Sequence, residues 1–195
     1  MKRLIALATA MALALGVVGS TAANDNNSNG TGFKANLSGY EEVPAISTTG
    51  TGTLSLVVNA AGTQISYTLT YSALQGGAAM AAHIHFAQKS VNGGVVAFLC
   101  GGGTKPACPA GGGTVTGTIV ASDILSVPPQ NIAAGDLAAV LKAMRNGVTY
   151  ANVHSAIFGS GEIRGQISGQ GNVKSSQGVP KNSNHGDQGN NKNND

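Results

Sequence analysis

Between residues 33 and 168 the chain consists of short runs in which apolar residues alternate with small polar ones, separated by turns rich in glycine and asparagine. The clearest run is Gln64 to Tyr71, where every second residue is a large apolar one. Because the side chains of a β-strand point alternately to two faces, this period of two predicts strands with one buried face. Similar runs begin near residues 33, 50, 64, 82, 95, 114, 150 and 162. We therefore expect an all-β fold, an antiparallel β-sandwich or barrel of about eight strands.

A single segment has the pattern of a helix. Leu137 to Arg145 carries its apolar residues at spacings of three and four, which is the period of one helix face. Asp136 is a good N-cap for this segment, and Gly147 suits the position after a helix end. The sequence thus predicts one helix, inserted before the last two strands.

The two ends of the chain differ from the part between them. Residues 1–23 have a basic start, an apolar run and small residues at the end, the pattern of a cleaved signal peptide. Residues 24–32 form a polar linker, and residues 169–195 are a low-complexity tail of mostly Asn, Gly, Ser, Lys and Gln. Both are too polar to form a core, so we expect them to be disordered. The domain itself would span residues 33–168, and the protein would be secreted or periplasmic, without a membrane span once the signal is removed.

Charge gives no support to a nucleic-acid partner. The chain has 11 basic and 8 acidic side chains, and loss of Lys2 and Arg3 with the signal leaves 9 against 8. Nucleic-acid binding relies on clusters of cations, and no basic stripe is present. The expected partner is an unknown protein or cell-surface ligand. The oligomeric state of the chain is unknown.

The two cysteines, Cys100 and Cys108, lie close together in a chain that we expect to be exported, and there a disulfide is the natural pairing. It would close a glycine-rich loop. A metal site with two thiolates is the alternative, but the pair lacks the Cys-x-x-Cys spacing and has no histidine nearby in the sequence.

Three of the four histidines lie within the predicted domain. His83 and His85 are two residues apart in a predicted strand, so both rings would leave the same face, opposite Ile84. His154 lies in another predicted strand, and if the two strands are neighbours the three rings meet. Three imidazole nitrogens suit zinc or copper. The alternative is a metal-free hydrogen-bond network in which the histidines fix the register of the strands.

Two further residues could support these histidines. Asn152 and Glu162 are the candidates for hydrogen-bond partners of a metal-bound ring. For Glu162 the alternative is a cross-strand ion pair with Arg164. No catalytic residue is predicted, since the turn Gly159-Ser160-Gly161 lacks the spacing of a serine nucleophile elbow.

Three segments resemble the chordin-type (CHRD) domain in the right order. The first is Phe33 to Pro44, and the second is Ala82-His83-Ile84-His85-Phe86 followed by Asn92-Gly93-Gly94. The third runs from Gly147 through His154 to Gly161-Glu162-Ile163-Arg164-Gly165-Gln166-Ile167. The family's usual Pro-Gly-Gly-Glu turn is replaced by Gly159-Ser160-Gly161-Glu162. The resemblance covers residues 33–168.

This resemblance implies an all-β extracellular domain. In animals such domains occur as repeats in an antagonist of bone morphogenetic proteins, but this chain has one copy and no cysteine-rich modules, so that role does not carry over. Bacterial members are mostly exported proteins without an assigned activity. The leading expectation is therefore a non-enzymatic, extracellular or periplasmic binding or cell-surface module. The alternative is a periplasmic copper- or zinc-binding protein that uses the three histidines.

Overall fold

A computed structural model describes residues 32–170. The predicted signal peptide lies outside the described residues, as do nearly all of the predicted linker and tail.

All eight predicted strands are present, close to the predicted bounds, and a short ninth follows them. They are β1 (Gly32–Ser38), β2 (Thr51–Val58), β3 (Gln64–Ser72), β4 (Ala79–Phe86), β5 (Gly94–Cys100), β6 (Gly113–Val120), β7 (Thr149–Ser155), β8 (Ile163–Gln166) and β9 (Ser168–Gly169).

The eight main strands form one antiparallel, nearly closed barrel. Their order is β5-β4-β7-β8-β1-β2-β3-β6, and β9 pairs with β1. The predicted all-β antiparallel fold is confirmed, and of the two predicted architectures the barrel describes it better. The order places β7 next to β4, although the two strands are far apart in the chain. This pairing brings together the side chains of the site described below.

Alternation along each strand fills the barrel. In β3 the four apolar residues Ile65, Tyr67, Leu69 and Tyr71 are all buried, whereas Ser66, Thr68 and Thr70 between them are exposed. In β4 and β7 the residues that join the core include Ala82, Ile84, Ala151 and Val153. Their neighbours in sequence therefore lie on the outer face of the barrel.

The predicted helix is confirmed as α1 (Leu137–Arg145). Asp136 caps it, and its side chain accepts a hydrogen bond of 2.9 Å from the backbone N–H of Ala139. Leu137, Val140, Leu141 and Met144 pack into the core cluster. Within residues 32–170, no helix has the length and hydropathy that crossing a bilayer requires.

A disulfide joins Cys100 to Cys108, as the sequence predicts. It holds the loop that leads from β5 towards β6, the two strands at the ends of the barrel order. Within this loop Gly102 lies against the ring of Phe98, so closely that a Cβ at position 102 would overlap the ring. The loop therefore fixes the position of Phe98 in β5.

Candidate metal centre

The three histidines of the domain meet on the outer face of the barrel. The antiparallel pairing of β4 with β7 sets His83 opposite Asn152 and His85 opposite Tyr150. His154, two residues beyond Asn152, comes to the same face because successive side chains alternate. His85 is buried, with 8% of its surface exposed. His83 and His154 are partly exposed.

Two irregularities in β5, where Leu99 and Val96 have no partner in β4, lie on either side of the residue paired with His83. The ladder between β4 and β5 shifts its register between Ala82 and His83 and again between Ile84 and His85. Such β-bulges change the direction of a side chain and are frequent beside functional sites. The ring of His83 packs edge-on against Phe98, with 4.7 Å between the ring centroids. His83 thus lies beside an irregular stretch of β5 and packs against an aromatic side chain of that strand.

The ring nitrogens are close enough to share one ion. His83 Nδ1 lies 3.1 Å from His154 Nε2. One nitrogen from each of the three rings can be chosen so that all lie within 4.8 Å of one another. Zinc binds imidazole nitrogens at about 2.0–2.1 Å, which places neighbouring tetrahedral ligands about 3.3 Å apart. Small movements of the rings would therefore bring all three nitrogens to ligand distance.

Backbone carbonyl groups orient two of the rings. His154 Nδ1 lies 2.9 Å from the carbonyl oxygen of Gly159, and His85 Nδ1 lies 2.9 Å from that of Gly93. Because a carbonyl oxygen can only accept, both Nδ1 atoms carry the hydrogen and both Nε2 atoms of the neutral rings keep a lone pair. Zinc-binding histidines are commonly held by such a hydrogen bond from the other ring nitrogen.

The surroundings keep the three rings neutral. Burial, together with the nearby His154 and His85, lowers the pKa of His83 to about 3. Burial also lowers the pKa of His85 and of His154 below the usual value for histidine. Neutral imidazole is the form that binds metal, so at neutral pH a metal ion meets no positive charge on the rings.

Asn152 lies beside His85, as the sequence suggested. Its Oδ1 atom is 3.1 Å from His85 Nε2. Since His85 Nδ1 already donates to Gly93, neutral His85 can pair with Asn152 only when the amide turns its N–H towards Nε2. A metal ion at Nε2 would replace this contact with Asn152.

Glu162 lies elsewhere. Its carboxylate accepts hydrogen bonds from the Thr48 hydroxyl group at 2.6 Å and from the backbone N–H groups of Gln75 and Gly76 at 2.6 and 3.0 Å. Within residues 32–170 it makes no hydrogen bond to any of the three histidines. Burial alone would raise the pKa of Glu162, but these hydrogen bonds lower it below the usual value. Glu162 therefore anchors the loops around the site and does not support a metal ligand directly.

The predicted ion pair between Glu162 and Arg164 is wrong. In residues 32–170 the salt bridges join other residues, Lys89 with Glu41 and Lys105 with Asp123. The Arg164 guanidinium instead lies over the ring of Tyr150, 3.4 Å from its centroid. It donates to Asn92 Oδ1 at 3.0 Å and to the carbonyl oxygen of Val91 at 2.8 Å. The prediction assumed that Glu162 and Arg164 lie two residues apart in one strand and so share a face. Glu162 lies before the first residue of β8, so the alternation of strand side chains does not apply to it.

Tyr150 connects Arg164 with the histidines. The ring of His85 is stacked on Tyr150, with 4.6 Å between centroids and an angle of 3° between the planes. A guanidinium at 3.4 Å leaves no room for the imidazole on the same face, so His85 and Arg164 lie on opposite faces of Tyr150. No sequence pattern indicated this stack, because its three members come from three strands.

Glu42 is a further buried group that the sequence did not single out. It is 7% exposed, and its Oε1 atom has no hydrogen-bond partner in the part of the chain that is described. Burial raises the pKa of Glu42 to about 7, although the charge of Arg164 acts in the opposite direction. The sequence offered only the adjacent pair Glu41 and Glu42, which in a strand would face opposite ways.

Comparison with known protein families finds a match that covers the folded domain. The sequence profile of the family described as CHRD domain matches residues 33–167. No curated protein and no solved structure shows significant similarity to the chain.

Proposed function

The chain belongs to the CHRD domain family, and on that premise we propose that it is a non-enzymatic, exported domain that binds one copper or zinc ion. The ligands are His83, His85 and His154. The observation that carries this proposal is the convergence of three neutral ring nitrogens within 4.8 Å of one another. Two of these rings are oriented by backbone carbonyl groups, so that each keeps a lone pair on Nε2. In the metal-free chain these two atoms face Asn152 and His83, and a metal ion would replace both contacts.

The alternative is a metal-free hydrogen-bond network in which the histidines fix the register of the strands. It explains less of this arrangement. In that alternative the histidines serve to connect β4 with β7, and the hydrogen bond between His83 and His154 does so. Two strands that already share a backbone ladder need no such connection. Burial and, to a smaller extent, the neighbouring imidazoles disfavour protonation, and both lower the pKa of His83. A bound cation would use the Nε2 lone pairs of His85 and His154 directly, and that of His83 Nδ1 once the hydrogen it donates to His154 has moved to its Nε2.

The choice between copper and zinc follows from ligand chemistry. Imidazole binds both ions well, whereas calcium and magnesium prefer oxygen ligands. Among the described residues, no cysteine thiolate or carboxylate belongs to the group of ligand atoms that meet here. The three imidazole ligands therefore favour copper or zinc over calcium or magnesium.

Metal titration tests the proposal. The chain without residues 1–23 and without an affinity tag is titrated with Cu²⁺ and with Zn²⁺ while bound metal and melting temperature are followed. A ligand that binds only the folded state stabilises it by about 2.7 kcal/mol at 100 times its Kd, so the melting temperature must rise. We expect one ion per chain.

Two variants control this experiment. The triple variant His83→Ala, His85→Ala, His154→Ala removes the ligands, and the variant His185→Ala removes the fourth histidine of the sequence, which lies outside the described residues. Binding by wild type and His185→Ala but not by the triple variant supports the proposal. Equal binding by the triple variant would refute it.

A further inference from the structure

We propose that the metal ion keeps one coordination position for a small monodentate anion supplied from solution. This inference rests on the proposed three-histidine site. In the described part of the chain three histidines provide the ligands, and no further histidine, cysteine or acidic side chain belongs to the group. Protein zinc is usually four-coordinate, and a site with three protein ligands takes its fourth from solvent or substrate.

The charges around the site favour an anion in that position. Three neutral imidazoles leave the full double charge of the ion uncompensated. Arg164 adds a cation that is 2% exposed, and no carboxylate within residues 32–170 forms a salt bridge with it. The Arg164 guanidinium lies across the Tyr150 ring from His85, so its positive charge adds to that of the metal ion and favours an anion at the open position.

Two acidic groups lie near this face, and neither is placed to act as the anion. The Glu162 carboxylate is held by Thr48, Gln75 and Gly76. Glu42 interacts electrostatically with Arg164, but it does not belong to the group of ligand atoms that meet at the site. The remaining titratable groups on the face are the histidines themselves and Tyr150, whose pKa is raised by burial.

The three rings differ in their exposure to solvent. His85 is the deepest of the three rings, whereas His83 and His154 are partly exposed, so solvent reaches the site on their side. Phe98 packs against His83, and Tyr150 packs against His85. These aromatic rings border the site, and a small anion is therefore the suitable probe.

The test uses azide as the probe and Cu²⁺ as the metal. The copper-loaded chain lacking residues 1–23 is titrated with azide at pH 8, and the charge-transfer absorption of copper-bound azide and the electron paramagnetic resonance spectrum are recorded. We expect one azide per copper and displacement of azide by acetate or chloride. If acetate competes much better than chloride, the ligand class narrows to carboxylates, which still supports an anion site.

Two variants change the surrounding charge in opposite directions without removing a ligand. Arg164→Gln should weaken azide binding several-fold, and Glu42→Gln should strengthen it, because pH 8 lies above the pKa of about 7 of Glu42. The second variant keeps the test decisive if the first does not fold. A copper-loaded protein that binds no azide, or whose azide affinity is the same in both charge variants, would overturn the inference and leave the proposed metal site standing. Failure to bind copper at all would overturn both.

Discussion

The buried carboxyl group of Glu42 makes the stability of this domain depend on pH in a direction that can be calculated. The folded state raises the pKa from 4.5 to about 7. For such a group the contribution to stability is fully present below pH 4.5 and is lost as the pH rises through about 7. At about 1.4 kcal/mol per pKa unit, the loss is at most about 3 kcal/mol.

Replacing Glu42 with Gln removes this dependence. Urea unfolding of the metal-free proteins is measured at pH 5 and at pH 8. The free energy of unfolding of Glu42→Gln relative to wild type should be higher at pH 8 than at pH 5 by up to about 3 kcal/mol. Contributions from other titrating groups are common to both proteins and cancel in this difference.

The adjacent residue provides a matched control. Glu41 is partly exposed and pairs with Lys89 on the surface. Exposed ion pairs contribute about 0–1 kcal/mol, so Glu41→Gln should change stability little at either pH. If the difference between Glu42→Gln and wild type were the same at pH 5 and pH 8, the carboxyl group would not be protonated on folding and the reasoning would fail.

Three further changes are predicted, each measured by urea unfolding. Replacing both cysteines with serine should lower the free energy of unfolding by about 2–3 kcal/mol, because the loop loses its closure; an unchanged value would show that other contacts hold the loop. Gly165→Ala should destabilise by about 1–3 kcal/mol, because its Cβ would overlap the backbone of Asn36. Gly111→Ala, where a Cβ meets nothing within 4 Å, is its control, and equal effects would argue against the overlap. Asp136→Ala removes the helix cap and should cost about 1 kcal/mol, a prediction that Asp136→Asn would test further by retaining the cap.

Much of the fold could be predicted because the sequence patterns that indicate strands and helices are local. The alternation in Gln64–Ser72 identifies β3, and the sequence around Asp136 marks the start of α1. The shared face of His83 and His85 follows from their spacing alone. Each of these inferences needs only neighbouring residues in the chain.

The complete candidate site required the tertiary structure. His83 and His154 are 71 residues apart, and only the pairing of β4 with β7 brings them together. The carbonyl groups of Gly93 and Gly159, which orient two rings, belong to turns whose side-chain pattern says nothing about where their oxygens point. The contact of Arg164 with Tyr150 was missed for a similar reason, because a local spacing suggested Glu162 as the partner.

The sequence by itself determined the strands, the helix and the face on which each histidine would lie, because the period of hydrophobic residues reflects local backbone geometry. Only the tertiary structure decided which strands are neighbours, which loops cover the outer face and which charges are buried there. Those properties depend on the burial of residues that are distant in the chain. The lowered pKa of His83 and the raised pKa of Glu42 both have that origin, since burial is the main cause of each.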